Sequence, residues 1–155
     1  MLTGAILGMA TALAPGYISW TVEYSGDAMD NASRKAVIER YLAAYNAFDI
    51  DGMLAVLTPD VRFENVAGTT VNAEASGIDA FRSLAEQGRR LFSARAQQLG
   101  GLVFDGDTAH ADIDWHGTFA VDVPDGPRAG TTLELQGRSE FTFVGERIAK
   151  LVDRS

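Results

Sequence analysis

The spacing of apolar side chains changes several times along this 155-residue chain, and each change predicts an element. Val37, Ile38, Tyr41, Leu42, Tyr45 and Phe48 recur as one helical face, with Ser33 placed to act as N-cap. Asp49-Ile50-Asp51-Gly52 reads as a turn with a capping aspartate, and Met53, Leu54, Val56 and Leu57 form a short second helix that Pro59 stops. Between Gly77 and Phe92, the residues Ile78, Phe81, Leu84, Ala85, Leu91 and Phe92 trace a third helical stripe. Elsewhere the period is two, which predicts half-buried antiparallel strands over residues 60–66, 95–104, 108–121, 131–144 and 147–154. Asp105-Gly106-Asp107 and Gly145-Glu146 mark hairpin turns, and a Pro/Gly-rich loop spans residues 122–130. The fold class is α+β: three N-terminal helices, with one strand among them, packed in a curved, mostly antiparallel sheet.

Every periodic segment falls within residues 29–155, so these are expected to form one domain and residues 1–28 an appendage. Residues 2–14 (LTGAILGMATALA) resemble the apolar part of a secretory signal, yet they are too short to span a bilayer and have no Lys or Arg before or among them. A start at Met29 is the other explanation of the appendage. The expected location is cytoplasmic, or periplasmic or secreted if residues 1–14 act as a signal.

A chain this long typically buries roughly 70% of the surface its unfolded form exposes, so a core needs no staples. The formal charge of −8 repels phosphate backbones and anionic lipid, which argues against nucleic acid and membrane surfaces as partners. There are no cysteines, hence no disulfide, thiolate nucleophile or thiolate metal site. No Gly-rich phosphate loop or cofactor fingerprint occurs, so neither a cofactor nor a metal is expected.

The element order, and the stretch VIERYLAAYNAFDIDGMLAVLTPDVRFENVAG at residues 37–68, resemble the nuclear transport factor 2-like superfamily, in particular ketosteroid isomerases and SnoaL-like polyketide cyclases. The ending RIAKLVDRS after a Gly-containing hairpin and the WHGTF stretch before the Pro/Gly loop are similar to the SnoaL-like branch. The resemblance implies a cone-shaped fold, a bent sheet wrapped around helices to leave a conical pocket, and a homodimer. It also implies roles for single positions. Tyr41 matches the first-helix tyrosine that serves ketosteroid isomerases as oxyanion donor, whereas their general-base aspartate falls at Asn65 and the second acid, shared with the cyclases, falls at Ser139. An amide cannot take a proton from carbon at neutral pH, and a serine without a base cannot replace a carboxyl group tuned by burial.

Strand parity gives an independent view of what points inward. Asn65 shares a face with Val61 and Phe63, and Ser139 shares one with Leu133, Leu135, Phe141 and Phe143. Asp153 falls in phase with Ala149 and Leu151, which makes it the candidate acid or base. Tyr41 and Tyr45 project from one helical face. Tyr41 and Asp153 are therefore the candidate catalytic pair, and Tyr45, Phe63, Asn65, Phe81, Trp115, Ser139 and Phe141 are candidate ligand-binding residues. A lining of few polar groups among many apolar ones suits a small, mostly apolar molecule with one or two oxygens. The alternative is that the same polar groups hydrogen-bond one another or buried water inside a filled core.

His110, Asp112, Asp114 and His116 share one strand face, but they spread over about 20 Å, too far for one metal ion. The opposite face, Ala109, Ala111, Ile113 and Trp115, is the natural inward set. Three functions stay open: an acid/base enzyme of isomerase, cyclase or dehydratase type, a non-catalytic binder or accessory protein of the same fold, and an epoxide hydrolase-like enzyme that would need Asp112 or Asp114 inside.

Overall fold

The computed structural model describes residues 4–7, 21–24 and 30–155. Two short strands, β1 (Gly4–Leu7) and β2 (Thr21–Tyr24), pair antiparallel in a sheet of their own. The rest of the signal-like run and the alternative start at Met29 lie outside the described residues. Among the described residues no helix is long and apolar enough to cross a membrane.

Helix α1 (Asn31–Asn46) is capped by Asp30 rather than by Ser33. Asp30 has the extended backbone that a cap requires, and its Oδ1 accepts from the Ser33 amide at 2.7 Å, so Ser33 supplies the orphan N–H instead of satisfying one. The helix stops before Phe48, whose φ of 56° lies in the left-handed region. Asp49 then caps α2 (Ile50–Ala55) by accepting from Gly52 N at 3.0 Å. Val56 ends that helix and Leu57 already belongs to strand β3 (Leu57–Ala67). Pro59 sits inside this strand, where the register against its parallel neighbour skips from Leu57 to Arg62, so no ladder hydrogen bond is asked of it.

Gly68, at φ 61°, turns β3 into β4 (Thr70–Ser76), a strand the hydrophobic pattern did not signal. Only Ala75 of its residues is buried, so it lies at the sheet edge without an apolar alternation to betray it. Helix α3 (Ile78–Leu91) follows, then β5 (Phe92–Asp105), β6 (Thr108–Phe119), β7 (Thr132–Val144) and β8 (Arg147–Arg154). The expectation of a single strand among the three helices is thus corrected: a hairpin, β3–β4, separates α2 from α3.

The sheet order is β4-β3-β8-β7-β6-β5, antiparallel throughout except where β8 lies parallel to β3. Register shifts interrupt β5 at Leu99/Leu102 and the β7–β8 pair at Thr142/Phe143, and such bulges bend a sheet. Gly100 and Gly101 occupy the β5 bulge, where a Cβ on Gly101 would come within 2.8 Å of the Asp112 carboxylate. The bent sheet closes against α1 and α3. Val61, Ile38, Ala109, Phe141, Ile148 and Leu151, all at 0% exposure, form the centre of the core.

Candidate functional site

The core fills only one end of the space between helices and sheet. Towards the other end a pocket of about 520 Å³ remains, walled by residues of all three helices and all the strands of the large sheet, most of them aromatic or aliphatic. Its floor carries a polar row that the register explains. Asn65 on β3 lies opposite Asp153 on β8, which lies opposite Ser139 on β7. Adjacent strands are about 4.8 Å apart, so three inward residues in register must meet side by side.

Ser139, 3% exposed, donates from Oγ to Asp153 Oδ1 at 2.6 Å. Asp153 forms no ion pair among the described residues, because its neighbour Arg154 points the other way and pairs with Glu140. The Asp153 residue keeps a little surface in the pocket, but its carboxyl is packed deeply enough that loss of solvent pushes its pKa from 3.8 up to about 6, against the opposing hydrogen bond from Ser139.

Tyr41 is 3% exposed and packs edge-on against Phe141, with ring centroids 6.0 Å apart. Burial, and then the negative charge of Asp153, drive its pKa well above the ordinary phenol value, so its hydroxyl keeps its proton. Tyr45, one turn later, accepts a hydrogen bond at 2.9 Å from Trp115 Nε1, which leaves its own proton free to be donated. Burial raises its pKa too, while Arg95 and the Trp115 hydrogen bond act the other way. The indole reaches Tyr45 because Gly117 has no side chain: a Cβ there would stand 2.5 Å from the Trp115 ring.

Arg95 completes this end of the pocket. It is 6% exposed, and its guanidinium lies 3.8 Å from the Tyr45 ring centroid and 4.6 Å from that of Phe48. Such cation–π contacts contribute about 0.5–2 kcal/mol each. Nε donates to the Tyr45 carbonyl at 3.3 Å, and burial lowers the Arg95 pKa. Asn46 anchors the segment: its side-chain amide donates to Gln97 O at 3.0 Å and accepts from Gln97 N at 2.7 Å, in the manner of a neighbouring strand.

Residues 38–151 of the 155 match the SnoaL-like domain family. The chain belongs to that family. Solved structures with the same fold include TsrD from Streptomyces laurentii, at 24% identity over 81% of this SnoaL-like domain protein and 90% of that chain, with a TM-score of 0.68. A candidate polyketide cyclase from Pseudomonas putida KT2440 matches at 26% identity over 76% and 86%, with a TM-score of 0.61. A protein with a ketosteroid isomerase-like fold from Catenulispora acidiphila DSM 44928 matches at 12% identity over 76% and 82%, with a TM-score of 0.63. No curated protein matches the chain by sequence.

Within the SnoaL-like domain the pocket wall includes Tyr41, Tyr45, Phe63, Asn65, Phe81, Trp115, Ser139 and Asp153. Phe141, expected there too, belongs to the core instead: it is 0% exposed, and it lies beneath Tyr41 rather than beside the cavity. Strand parity chose its face correctly but carries no information on depth along that face. The phase of β8 also needs correction. Phe143 pairs with Ile148 and Thr142 with Lys150, so Ala149 is bulged out and the inward set is Ile148, Leu151 and Asp153.

On β6 the inward residues are Ala109, Ala111, Ile113 and Trp115, while Asp112, Asp114 and His116 are exposed and His110 is half-buried. Asp112 pairs with Arg138 at 3.6 Å on the outer face. An epoxide hydrolase-like reading therefore lacks the strand carboxylates it requires. Arg95 and Gln97, both buried, were missed by sequence reasoning, although they share parity with Leu99 and would have been found by extending the apolar phase of β5 backwards.

Proposed function

We propose that this SnoaL-like domain is a cofactor-independent acid/base enzyme acting on a small, mostly apolar ring or chain bearing one or two oxygens, with Asp153 as the proton-transfer group. The observation that carries the reading is a carboxyl group at the floor of an apolar pocket, held among the described residues by Ser139 alone and pushed to a pKa of about 6 by burial. A base with a pKa just below the working pH is ionised and still binds a proton well, which is the compromise proton abstraction from carbon needs.

In the proposed reaction Asp153 takes a proton from the carbon next to a carbonyl, and the enolate oxygen so formed accepts a hydrogen bond from the hydroxyl of Tyr41. Asp153 then returns the proton to the same or a conjugated carbon. On the resemblance to ketosteroid isomerases and SnoaL-like cyclases their two acid positions fall at Asn65 and Ser139, and Asp153 lies on the strand between these residues. A carboxyl group displaced by one strand thus serves the same volume. The likeness to a candidate polyketide cyclase agrees with a substrate of this class. A homodimer is part of the same proposal, and light scattering on the purified protein reads it.

The test is exchange of the α-protons of 2-tetralone, a compact apolar ketone, into heavy water. Wild type should accelerate the exchange, and Asp153→Asn should lower the rate by about 100-fold or more, the usual share of a positioned acid or base. Equal rates in both proteins, with 2-tetralone bound by both, would leave a non-catalytic binder as the correct reading.

A further inference from the structure

Among the described residues, Arg95 is a buried cation with no carboxylate partner. It is absent from every ion pair, and its Nη2 is sealed from solvent without a hydrogen-bond acceptor. The Tyr45 and Phe48 rings cover the faces of the guanidinium, which stabilises its charge but offers nothing to the N–H groups in its plane. One of those groups, on Nε, is satisfied by the Tyr45 carbonyl. Nη1 lies beside Gly88, where a Cβ would sit 3.7 Å from it, and both Arg95 and Gly88 line the pocket. With Nη2 sealed, Nη1 is the guanidinium donor left on the pocket side, and a charged N–H of this kind suits an oxygen of an anion.

The rest of the wall points the same way. Asp153 is the one acidic side chain in it, and it stands in the Asn65–Asp153–Ser139 row rather than in contact with Arg95. The Tyr45 hydroxyl, with its oxygen already engaged by Trp115, is a donor beside the guanidinium. One end of the cavity therefore offers an unpaired cation and a phenol proton; towards the other lie Asp153 and two arginines, Arg138 and Arg154, that are already paired with Asp112 and Glu140, and Phe81, Leu84 and Leu133 supply apolar surface in the same wall.

We propose that the pocket selects small aromatic or alicyclic molecules that carry an anionic oxygen head, a carboxylate or an acidic enol, and that Arg95 pairs with this head. The inference rests on the reading of the pocket as a ligand site and names the class of ligand it takes. Arg95 is on this account a specificity-determining residue, and Asp153 handles protons at the other end of the molecule.

The experiment is calorimetric titration at pH 7.5 with 2-naphthoate and its neutral isostere 2-naphthamide, and with 2-hydroxy-1,4-naphthoquinone against 1,4-naphthoquinone. The first pair reads a carboxylate head and the second an acidic enol. Wild type should bind the anion at least tenfold more tightly than its neutral counterpart in one or both pairs. Arg95→Met should erase that ratio while leaving the affinity for the neutral probe within a few-fold. Gly88→Ala, a change in helix α3 that leaves the guanidinium in place and covers Nη1, should lower the ratio and serves if Arg95→Met fails to fold. Neutral probes bound as tightly as anions by wild type, or a ratio that survives both substitutions, would overturn the inference and leave the acid/base reading intact. Loss of 2-tetralone exchange in Asp153→Asn tests that reading separately, and binding of none of the four calorimetric probes would overturn the inference alone.

Discussion

The substitution Asp153→Asn is expected to make the protein more stable, and by more at high pH than at low. Asp153 has a folded-state pKa of about 6 against 3.8 for the free side chain, so the native state holds its proton more tightly than the unfolded chain does. Folding is then opposed by the cost of keeping this carboxylate desolvated. Below pH 3.8 the group is neutral in both states and the penalty is absent; it grows as pH rises through 6 and is complete above it. At 1.36 kcal/mol per tenfold change in proton affinity, a rise from 3.8 to about 6 is worth about 3 kcal/mol. Asparagine keeps the shape and can still accept from Ser139, but carries no charge to desolvate. Urea denaturation of both proteins at pH 5 and pH 8 avoids the acidic pI of 4.6. Over that interval the linkage relation places about 1.4 kcal/mol of the change, so the midpoint advantage of the variant should widen by roughly 0.5–1 M urea from pH 5 to pH 8. A difference that does not change with pH would refute the desolvation argument. One that narrows towards pH 8 would mean that the native state stabilises the carboxylate instead.

Three further outcomes follow from the same geometry. Ser139→Ala removes the hydrogen bond that holds the Asp153 pKa down, so the carboxyl resonance of Asp153 should titrate at a higher pH than in wild type, and an unchanged midpoint would count against the pairing. Phe141→Ala should cost about 3–5 kcal/mol in denaturant unfolding because it opens a void in a closed core, whereas Phe63→Ala, in the pocket wall, should cost less and act mainly on ligand affinity. Gly117→Ala drives a Cβ into the Trp115 indole and should break its hydrogen bond to Tyr45, read as a shift of the indole N–H resonance, at a cost of about 1–3 kcal/mol.

The sequence by itself determined which residues form most elements and which way they face. The 3.6 and 2.0 periods are local properties: they follow from backbone geometry, so Val37 to Tyr45 announce a helix and Ala109 to Trp115 announce an inward strand face whatever else the chain does. Asn65, Ser139 and Asp153 could be called inward on that basis alone. The edge strand β4 was not legible, because an edge with a single buried residue has no apolar alternation. Only the tertiary structure decided depth, register and partnership. Phe141 and Ser139 share a face, yet one fills the core and the other floors a pocket, and nothing in a one-dimensional pattern separates them. A bulge at Ala149 and a parallel β3–β8 pairing put Asp153 between Asn65 and Ser139, residues 88 and 14 positions away in the chain. The shifted proton affinity of Asp153 and the unpartnered charge of Arg95 arise from the removal of water by elements distant in sequence. Desolvation is set by what surrounds a group in space, and that is what folding adds.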